Sequence, residues 1–230
     1  MSLGPAEWAI IGLSLKVALV AVIGSLPFGI LAAYALARGR FWGREALNLL
    51  VHLPLVLPPV VTGYLLLVLF GATGPLGRLF EASLGLSFAF RWTGAALAAA
   101  IMAFPLMVRA IRLALEAVDP KLEEAANTLG ASRLRVFLTI TLPLMAPGIL
   151  AGIILAFAKA LGEFGATITF VSNIPGQTQT LPTAIYAALQ VPGQEGAALS
   201  LILISVALAA AALIASEVLA RAMRKRMEGS

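Results

Sequence analysis

The sequence predicts an all-α integral membrane protein with five transmembrane helices, because of its composition and its apolar runs. Sixty per cent of the 230 residues are apolar and 12% are charged, whereas an average soluble domain carries about 25% charged residues. The mean hydropathy is +0.98. Five runs are long enough for a helix of about 20 residues to cross the hydrocarbon core. They cover residues 8–37, 47–71, 92–115, 143–167 and 197–220, so residues 1–230 are expected to form one transmembrane domain.

The distribution of Lys and Arg predicts the orientation of the chain. Of its sixteen Lys and Arg residues, twelve lie in segments on one side of the membrane, and only Arg78 and Arg91 lie in segments on the other. Basic residues are enriched in cytoplasmic segments, so we expect the N-terminus outside and the C-terminus in the cytoplasm. Because these residues lie at the ends of apolar runs, we expect no nucleic-acid partner. The twelve are Arg38, Arg40, Arg44, Arg109, Arg112, Lys121, Arg133, Arg135, Arg221, Arg224, Lys225 and Arg226.

The first two runs differ in their expected regularity. No basic residue precedes Lys16, so the positive region of a cleavable signal peptide is missing and the first run is expected to remain in the protein. The second run contains Pro54, Pro58 and Pro59. Each proline removes a backbone donor and bends a helix, so this span is expected to be broken or kinked near its inner end.

The largest predicted cytoplasmic segment is the loop of residues 116–142. Asp119 and Pro120 favour a helix start, since Asp caps free amides and Pro suits the first turn. Gly130 favours a helix end. An apolar face of Leu122, Ala125, Ala126 and Leu129 lies between them at helical spacing.

After Gly130, Ser132 is expected to cap a second helix that runs to Leu142 and Pro143, where the next span would begin. The loop would therefore hold a short surface helix tied to two membrane spans. Such a helix would either dock on a partner and transmit its movement, or simply rest on the bilayer or the helix bundle. Physical reasoning from the residues leaves both interpretations open.

The fourth run carries an intramembrane charge pair. Lys159 and Glu163 are four residues apart, so they share one helix face and neutralise each other. One interpretation is a polar lining for the path of an anion, and the other is a self-satisfied pair that orients the helix. Charges inside the membrane are costly, which makes either role a reason for keeping them.

The segment after this pair is expected to loosen the helix. Gly162 and Gly165 flank Phe164, and two close glycines weaken a helix. This pattern fits a gate inside the membrane, with Lys159, Glu163, Phe164 and Gly165 as candidates for the gate or the translocation path. It also fits a helix end just short of the outer surface. Residues 181–191, which are bracketed by Pro182 and Pro192, are too few to cross and predict a short helix that lies at that surface or dips in from it.

A seven-position motif in the cytoplasmic loop resembles the EAA loop of ABC importer permeases. That family has E-A-A-x-x-x-G, nine further residues and then I-x-L-P. This chain matches at Glu124, Ala125, Ala126, Gly130, Ile140, Leu142 and Pro143. The resemblance implies that the loop is a coupling helix that docks in a cleft of a separate ATPase.

Longer blocks of the chain are similar to the permeases of bacterial molybdate transporters. The blocks cover residues 52–67, 104–143 and 161–186. The resemblance implies a homodimer in the cell inner membrane that imports molybdate, and also tungstate, by alternating access. It also implies two cytoplasmic ATPase subunits and a periplasmic or lipid-anchored binding protein. Sulfate and thiosulfate permeases are related and form the alternative, although they are generally longer.

Two other function classes lack support in the residues. None of the four lysines follows a glycine, so the G-x-x-x-x-G-K-[ST] phosphate loop is absent, and the partner ATPase is expected to bind ATP and magnesium. With no Cys and one histidine, His52, the chain offers no catalytic nucleophile–base pair and no metal site, so we expect it not to be an enzyme. A secondary transporter would show internal repeats, and none is seen.

Overall fold

The structure, a computed structural model, describes residues 4–228, with the side chains of residues 4–215 and of Val218. Within that range every regular element is a helix, which agrees with the predicted all-α class. The helices are α1 (Pro5–Arg38), α2 (Arg44–Val56), α3 (Pro59–Phe70), α4 (Pro75–Leu84), α5 (Trp92–Glu116), α6 (Pro120–Thr128), α7 (Arg133–Val136), α8 (Leu142–Leu161), α9 (Gly165–Val171), α10 (Leu181–Leu189) and α11 (Glu195–Glu228). A π-helical segment, Phe137–Thr141, joins α7 to α8.

Four long apolar helices provide candidate membrane spans. They are α1, α5, the continuous helix Arg133–Leu161 and the part of α11 from Glu195 to Ala215. The first, third and fifth predicted runs therefore each correspond to one long helix. The number of spans is four or five, depending on how the region of the second run is counted.

The second predicted span, residues 47–71, forms two helices in the structure. Helices α2 and α3 are separated by Leu57 and Pro58, and their axes differ in direction by 116°. Pro59 is the first residue of α3 and has no amide hydrogen to continue the α2 ladder. The expected break is therefore present, but it is much sharper than a kink. With 12 residues, α3 is about 18 Å long and does not cross a hydrocarbon core of about 30 Å alone.

The fourth predicted span, residues 143–167, differs from the structure at both ends. Ser132 caps α7, as predicted, by accepting a hydrogen bond from the Arg135 amide at 3.4 Å. The chain then passes through the π-helical segment into α8 without a new start at Pro143. A proline ring clashes with the carbonyl of the preceding helical turn, and the wider π turn relieves that clash. At the other end, α8 stops at Leu161 and the chain resumes as α9 at Gly165.

The core is formed by α1, α5 and α8, which approach closely through small residues. A Cβ added to Gly148 would lie 2.1 Å from the Ala114 Cβ, and one added to Gly152 would lie 3.1 Å from the Met107 carbonyl oxygen. The G-x-x-x-G pattern of α8 thus packs directly on α5. Buried alanines on α5 and α1, including Ala98 and Ala18, continue this contact.

Two short helices complete the described part of the chain. The short helix expected near residues 181–191 is α10, and its first amide, on Leu181, donates to the Ser14 hydroxyl of α1 at 2.7 Å. Helix α4 was not predicted. It is held by an aromatic cluster in which Phe80 contacts Phe70 and Phe88, with ring centroids 6.0 and 5.5 Å away.

Candidate functional site

The surface helix α6 begins and ends where the sequence predicts. The Asp119 carboxylate accepts a hydrogen bond from the Lys121 amide at 2.9 Å, which caps the first turn. After the helix, Gly130 adopts a φ of +86°, a conformation that other residues adopt only with strain. The following amide, on Ala131, donates back to the Ala126 carbonyl at 3.1 Å. These two signals define a compact nine-residue helix.

Most of the apolar face of α6 is exposed. The exposed fraction is 48% for Leu122 and 88% for Leu129, and Ala125 is also exposed. No residue of this helix is buried against the described part of the chain. Leu134 and Leu138, which follow on α7 and the π-helical segment, are 68% and 50% exposed. Together these residues form an apolar patch that has the character of a docking surface.

The seven motif positions fall on α6 and the turn after it, on the π-helical segment and on the start of α8. Glu124 and Ala125 are exposed on α6, Ala126 is half-buried there, and Gly130 ends the helix. Ile140 lies in the π-helical segment, while Leu142 and Pro143 form the first turn of α8. The motif therefore covers a surface helix and the base of a long membrane helix, with the π segment at the base. π-bulges occur frequently at functional sites.

One residue of this region, Glu123, makes side-chain contacts that were not predicted from the sequence. Its carboxylate accepts a hydrogen bond from the Thr141 hydroxyl at 2.8 Å and lies 3.7 Å from the Arg38 guanidinium. No local signal indicated this contact, because a threonine in a helix usually donates its hydroxyl to the carbonyl one turn earlier. Glu123 and Ala126, one turn apart, form the side of α6 that faces the bundle.

Further arginine contacts join the ends of the long helices at one end of the bundle. Arg44 donates through Nε and Nη2 to the Leu36 carbonyl at 3.0 and 2.8 Å, near the end of α1. Arg112 of α5 donates to the Asn48 side chain of α2 at 3.4 Å and pairs with Glu116 at 2.7 Å. The helices are thus joined at this end by charge-assisted bonds as well as by apolar packing.

The intramembrane pair is internally satisfied. Lys159 Nζ donates to Glu163 Oε2 at 2.6 Å. The other carboxylate oxygen accepts from the Ala166 amide at 3.1 Å, at the start of α9. Glu163 is 3% exposed. The carboxylate therefore accepts hydrogen bonds from the lysine and from a free amide at a helix start. This arrangement fits the interpretation as an orienting pair better than the interpretation as a polar lining for an anion.

The chain contains two broken helices, α2 with α3 and α8 with α9, and these contact each other at their breaks. A Cβ added to Gly165 would lie 2.7 Å from the Pro59 Cβ, and one added to Gly63 would lie 2.5 Å from the Ala166 carbonyl oxygen. Phe164, in the gap between α8 and α9, packs on Tyr186 of α10 with ring centroids 4.9 Å apart. Irregular backbone inside a membrane occurs only against protein or a water-filled cavity. The contact between the two breaks supplies the protein surface that this condition requires.

An apolar groove of about 860 Å³ lies between α1, α2 and α5. The polar side chains that line it are Ser25, Thr93 and Trp92, and no charged side chain lines it. Such a lining does not suit an oxyanion, because a desolvated anion needs donors or positive charge. The groove is therefore separate from the candidate path.

The comparisons with known proteins agree with this architecture. Residues 25–225 match the family described as binding-protein-dependent transport system inner membrane component. The chain is 60% identical to the molybdenum transport system permease protein ModB of Escherichia coli K12, over 98% of this chain and 99% of that protein. It is 54% identical to ModB of Haemophilus influenzae, over 96% of each chain. The sulfate transport system permease protein CysT of Salmonella typhimurium is 41% identical over 77% of this chain and 64% of its own length.

Solved structures of bacterial ABC transporters share the fold. A transporter that imports the acidic polysaccharide alginate has a TM-score of 0.74 at 19% identity, covering 95% of this chain and 80% of that one. The methionine transporter MetNI in an inward-facing conformation has a TM-score of 0.67 at 15% identity, covering 95% and 94%. The alginate transporter in complex with a periplasmic protein has a TM-score of 0.69 at 20% identity, covering 97% and 80%.

Proposed function

The chain belongs to the family of binding-protein-dependent transport system inner membrane components, and we propose that it is the membrane-spanning subunit of an ATP-driven molybdate importer. The observation that carries the proposal is the 60% identity to a molybdenum permease over nearly the full length of both chains. Tungstate, with the same charge and nearly the same size, would share the path.

The alternative cargo is sulfate or thiosulfate. It has less support, because the sulfate permease is 41% identical and is matched over only 64% of its length. A secondary transporter independent of ATP has no support from the comparisons, since the family consists of components of binding-protein-dependent systems.

The proposed partners follow from the surface of the chain and from the family. The exposed patch of Leu122, Ala125 and Leu129 would dock in a cytoplasmic ATPase, which would bind ATP and magnesium. Two copies of this chain would form the translocation path, with one ATPase subunit each, and a periplasmic or lipid-anchored protein would deliver the anion. The motif residues from Glu124 to Pro143 would form the coupling site.

The transport cycle would use the two broken helices. Movement of α6 would tilt α8 through the π-helical segment and shift the junction at which α9 meets α3. Lys159, Glu163, Phe164 and Gly165 lie at or beside this junction and are the candidates for the gate or path. Alternating access would require that the path beside this junction be open to only one side of the membrane at a time.

The test is uptake of labelled molybdate by cells that lack their own high-affinity systems and that express this chain with its ATPase and binding protein. We expect uptake that excess tungstate blocks and excess sulfate leaves intact. Uptake that sulfate blocks would assign the permease to another oxyanion. Cells with the ATPase and binding protein alone are the control.

A further inference from the structure

Glu123, in the first turn of α6, contacts two other helical elements, the π-helical segment and α1. Its Oε1 accepts a hydrogen bond from Thr141 Oγ1 at 2.8 Å and lies 3.7 Å from Arg38 Nη2. The Glu123 and Arg38 side chains are 21% and 22% exposed, and Thr141 is 1% exposed. The contact is therefore largely shielded from water. Charged hydrogen bonds are stronger in such a shielded position than at an open surface.

Arg38 extends this contact to the ends of two membrane helices. It is the last residue of α1, and its Nη2 donates to the Leu115 and Val118 carbonyls at 3.4 and 3.0 Å, at and just beyond the end of α5. A cation is favourable at helix C-termini and a carboxylate at a helix N-terminus, so each charge stands where the helix dipoles favour it. The cluster of Arg38, Glu123 and Thr141 thus joins α6 to α1, α5 and the base of α8.

Other connections between α6 and the bundle are weak. Among the described residues, α6 has no buried side chain, and most of its apolar face points away from the bundle. The covalent links are the short segments 117–119 and 129–132, and the second of these contains Gly130. Movement of α6 would bend these segments unless a side-chain contact transmitted the movement to the membrane helices.

We propose that Glu123 is the positioning residue through which movement of α6 reaches α1, α5 and α8. This inference rests on the proposed function, because it assumes that an ATPase moves α6. It separates the roles of the two adjacent glutamates. Glu124 is exposed on the docking helix, whereas Glu123 joins that helix to the bundle.

The test compares Glu123→Ala, Glu123→Gln and Thr141→Val in the complete complex with ATPase and binding protein. Glu123→Ala removes both contacts, Glu123→Gln keeps an acceptor for Thr141 but loses the charge beside Arg38, and Thr141→Val removes the hydroxyl while keeping the shape. We expect Glu123→Ala to lower molybdate uptake per ATP hydrolysed roughly tenfold, since a hydrogen bond to a charged group is at stake. The other two variants should fall between it and the wild type.

A second readout does not depend on the cargo. The chain has no cysteine, so Gln177→Cys, in the exposed loop after α9, provides a single labelling site. We expect its reaction rate with an impermeant thiol reagent to change when nucleotide binds the complex, and this change to disappear with Glu123→Ala. Glu116→Gln is the matched control, because Glu116 is also an inner-face carboxylate paired with an arginine but lies on α5. It should retain both responses.

The outcomes are distinguishable. A normal ratio of uptake to hydrolysis and a normal nucleotide response in Glu123→Ala would overturn the inference and leave the proposed function intact. Loss of both responses in Glu116→Gln as well would overturn the specific role of Glu123. A wild-type complex with neither uptake nor a nucleotide response would contradict the proposed function, and the inference with it.

Discussion

Gly63 shows how a single residue fixes the junction of the two broken helices. A Cβ at this position would lie 2.5 Å from the Ala166 carbonyl oxygen and 2.8 Å from the Thr169 Cβ, so any side chain would push α3 away from α9. We expect Gly63→Ala to destabilise the protein by about 1–3 kcal/mol, the usual cost of overpacking. A lower melting temperature in detergent would show this.

Gly12→Ala is the matched control for that substitution. Gly12 also lies in a long helix, but a Cβ there would meet nothing within 4 Å. Because alanine favours a helix over glycine, the control should melt at the same temperature or slightly higher. Equal melting of both variants would show that α3 and α9 are not in close contact.

For the pair of Lys159 and Glu163, we expect the loss of one charge to destabilise the protein more than the loss of both. With Lys159→Met alone, the Glu163 carboxylate, 3% exposed, would keep its bond to the Ala166 amide but lose its cation. Removing one partner of a buried pair costs about 3–5 kcal/mol, and a partly exposed lysine puts this pair below that range. We therefore expect Lys159→Met to reduce the amount of folded protein in the membrane more than Lys159→Met combined with Glu163→Gln does.

The measurement is the yield of monodisperse protein from membranes and its melting temperature, for both variants. If the double variant is folded but imports no molybdate, the pair has a role in transport beyond orientation. If the single variant is as stable as the wild type, the interpretation as an orienting pair is wrong.

At the scale of elements, α6 is the best-predicted part of the chain. Local signals were sufficient there, since Asp119 and Gly130 act on their own turns. The expected loosening between Gly162 and Gly165 is also present, because glycine weakens a helix wherever it lies. The apolar face was predicted, but only the structure shows that the bundle leaves most of it uncovered.

Elements that depend on distant contacts could not be predicted. The prolines predict a break between α2 and α3 but not its angle of 116°, and α3 packs against α9, a partner about a hundred residues away. Helix α4 depends on the cluster of Phe70, Phe80 and Phe88. The bond between Glu123 and Thr141 joins residues 18 positions apart in the chain and follows no local helix rule.

The coupling role of α6 makes a prediction at this scale. Glu124→Arg reverses a charge on the exposed side of the helix, and Gly130→Leu places a bulky residue at a φ of +86°. Left-handed backbone costs a non-glycine residue about 1–2 kcal/mol, so the second variant should displace the end of α6. We expect both variants to abolish uptake and to weaken co-purification of the ATPase, while the permease stays in the membrane.

Quantitative blotting of membranes and of the co-purified ATPase checks this expectation. Arg135→Gln is a useful control, because it alters an exposed charge on the neighbouring helix α7 outside the motif. Undiminished transport by Glu124→Arg and Gly130→Leu would contradict the assignment of α6 as the coupling helix.

At the scale of the whole molecule, the orientation remains a prediction. The bias of basic residues places α6 in the cytoplasm and the loop after α9 outside. The chain ends beyond residues 4–228 lie outside the described residues, so labels within that range test the orientation better. Gln177 and Lys121 are both exposed.

We expect Gln177→Cys to react with an impermeant thiol reagent added to intact cells that express the chain without its ATPase. Lys121→Cys should react only after the membrane is permeabilised. The natural absence of cysteine makes each label unique. The opposite pattern would reverse the orientation and remove α6 from the reach of any cytoplasmic ATPase.

The number of spans is four or five by the length and composition of the helices. Hydropathy identifies apolar length but not direction, so the run of residues 47–71 was predicted as one span, broken or kinked near its inner end by its prolines. The structure divides it into α2 and α3, and the long apolar helices number four without that pair. The core of α1, α5 and α8 packs through small residues, a pattern that the sequence does display.

The central claim is that this chain moves an oxyanion only when a partner ATPase works on it. The most direct test uses proteoliposomes with the purified chain and ATPase, loaded with or without ATP and magnesium, and with the binding protein and labelled molybdate outside. We predict accumulation that needs ATP, magnesium and binding protein together, and that Glu124→Arg abolishes. Accumulation without ATP, or unchanged accumulation with Glu124→Arg, would contradict the account.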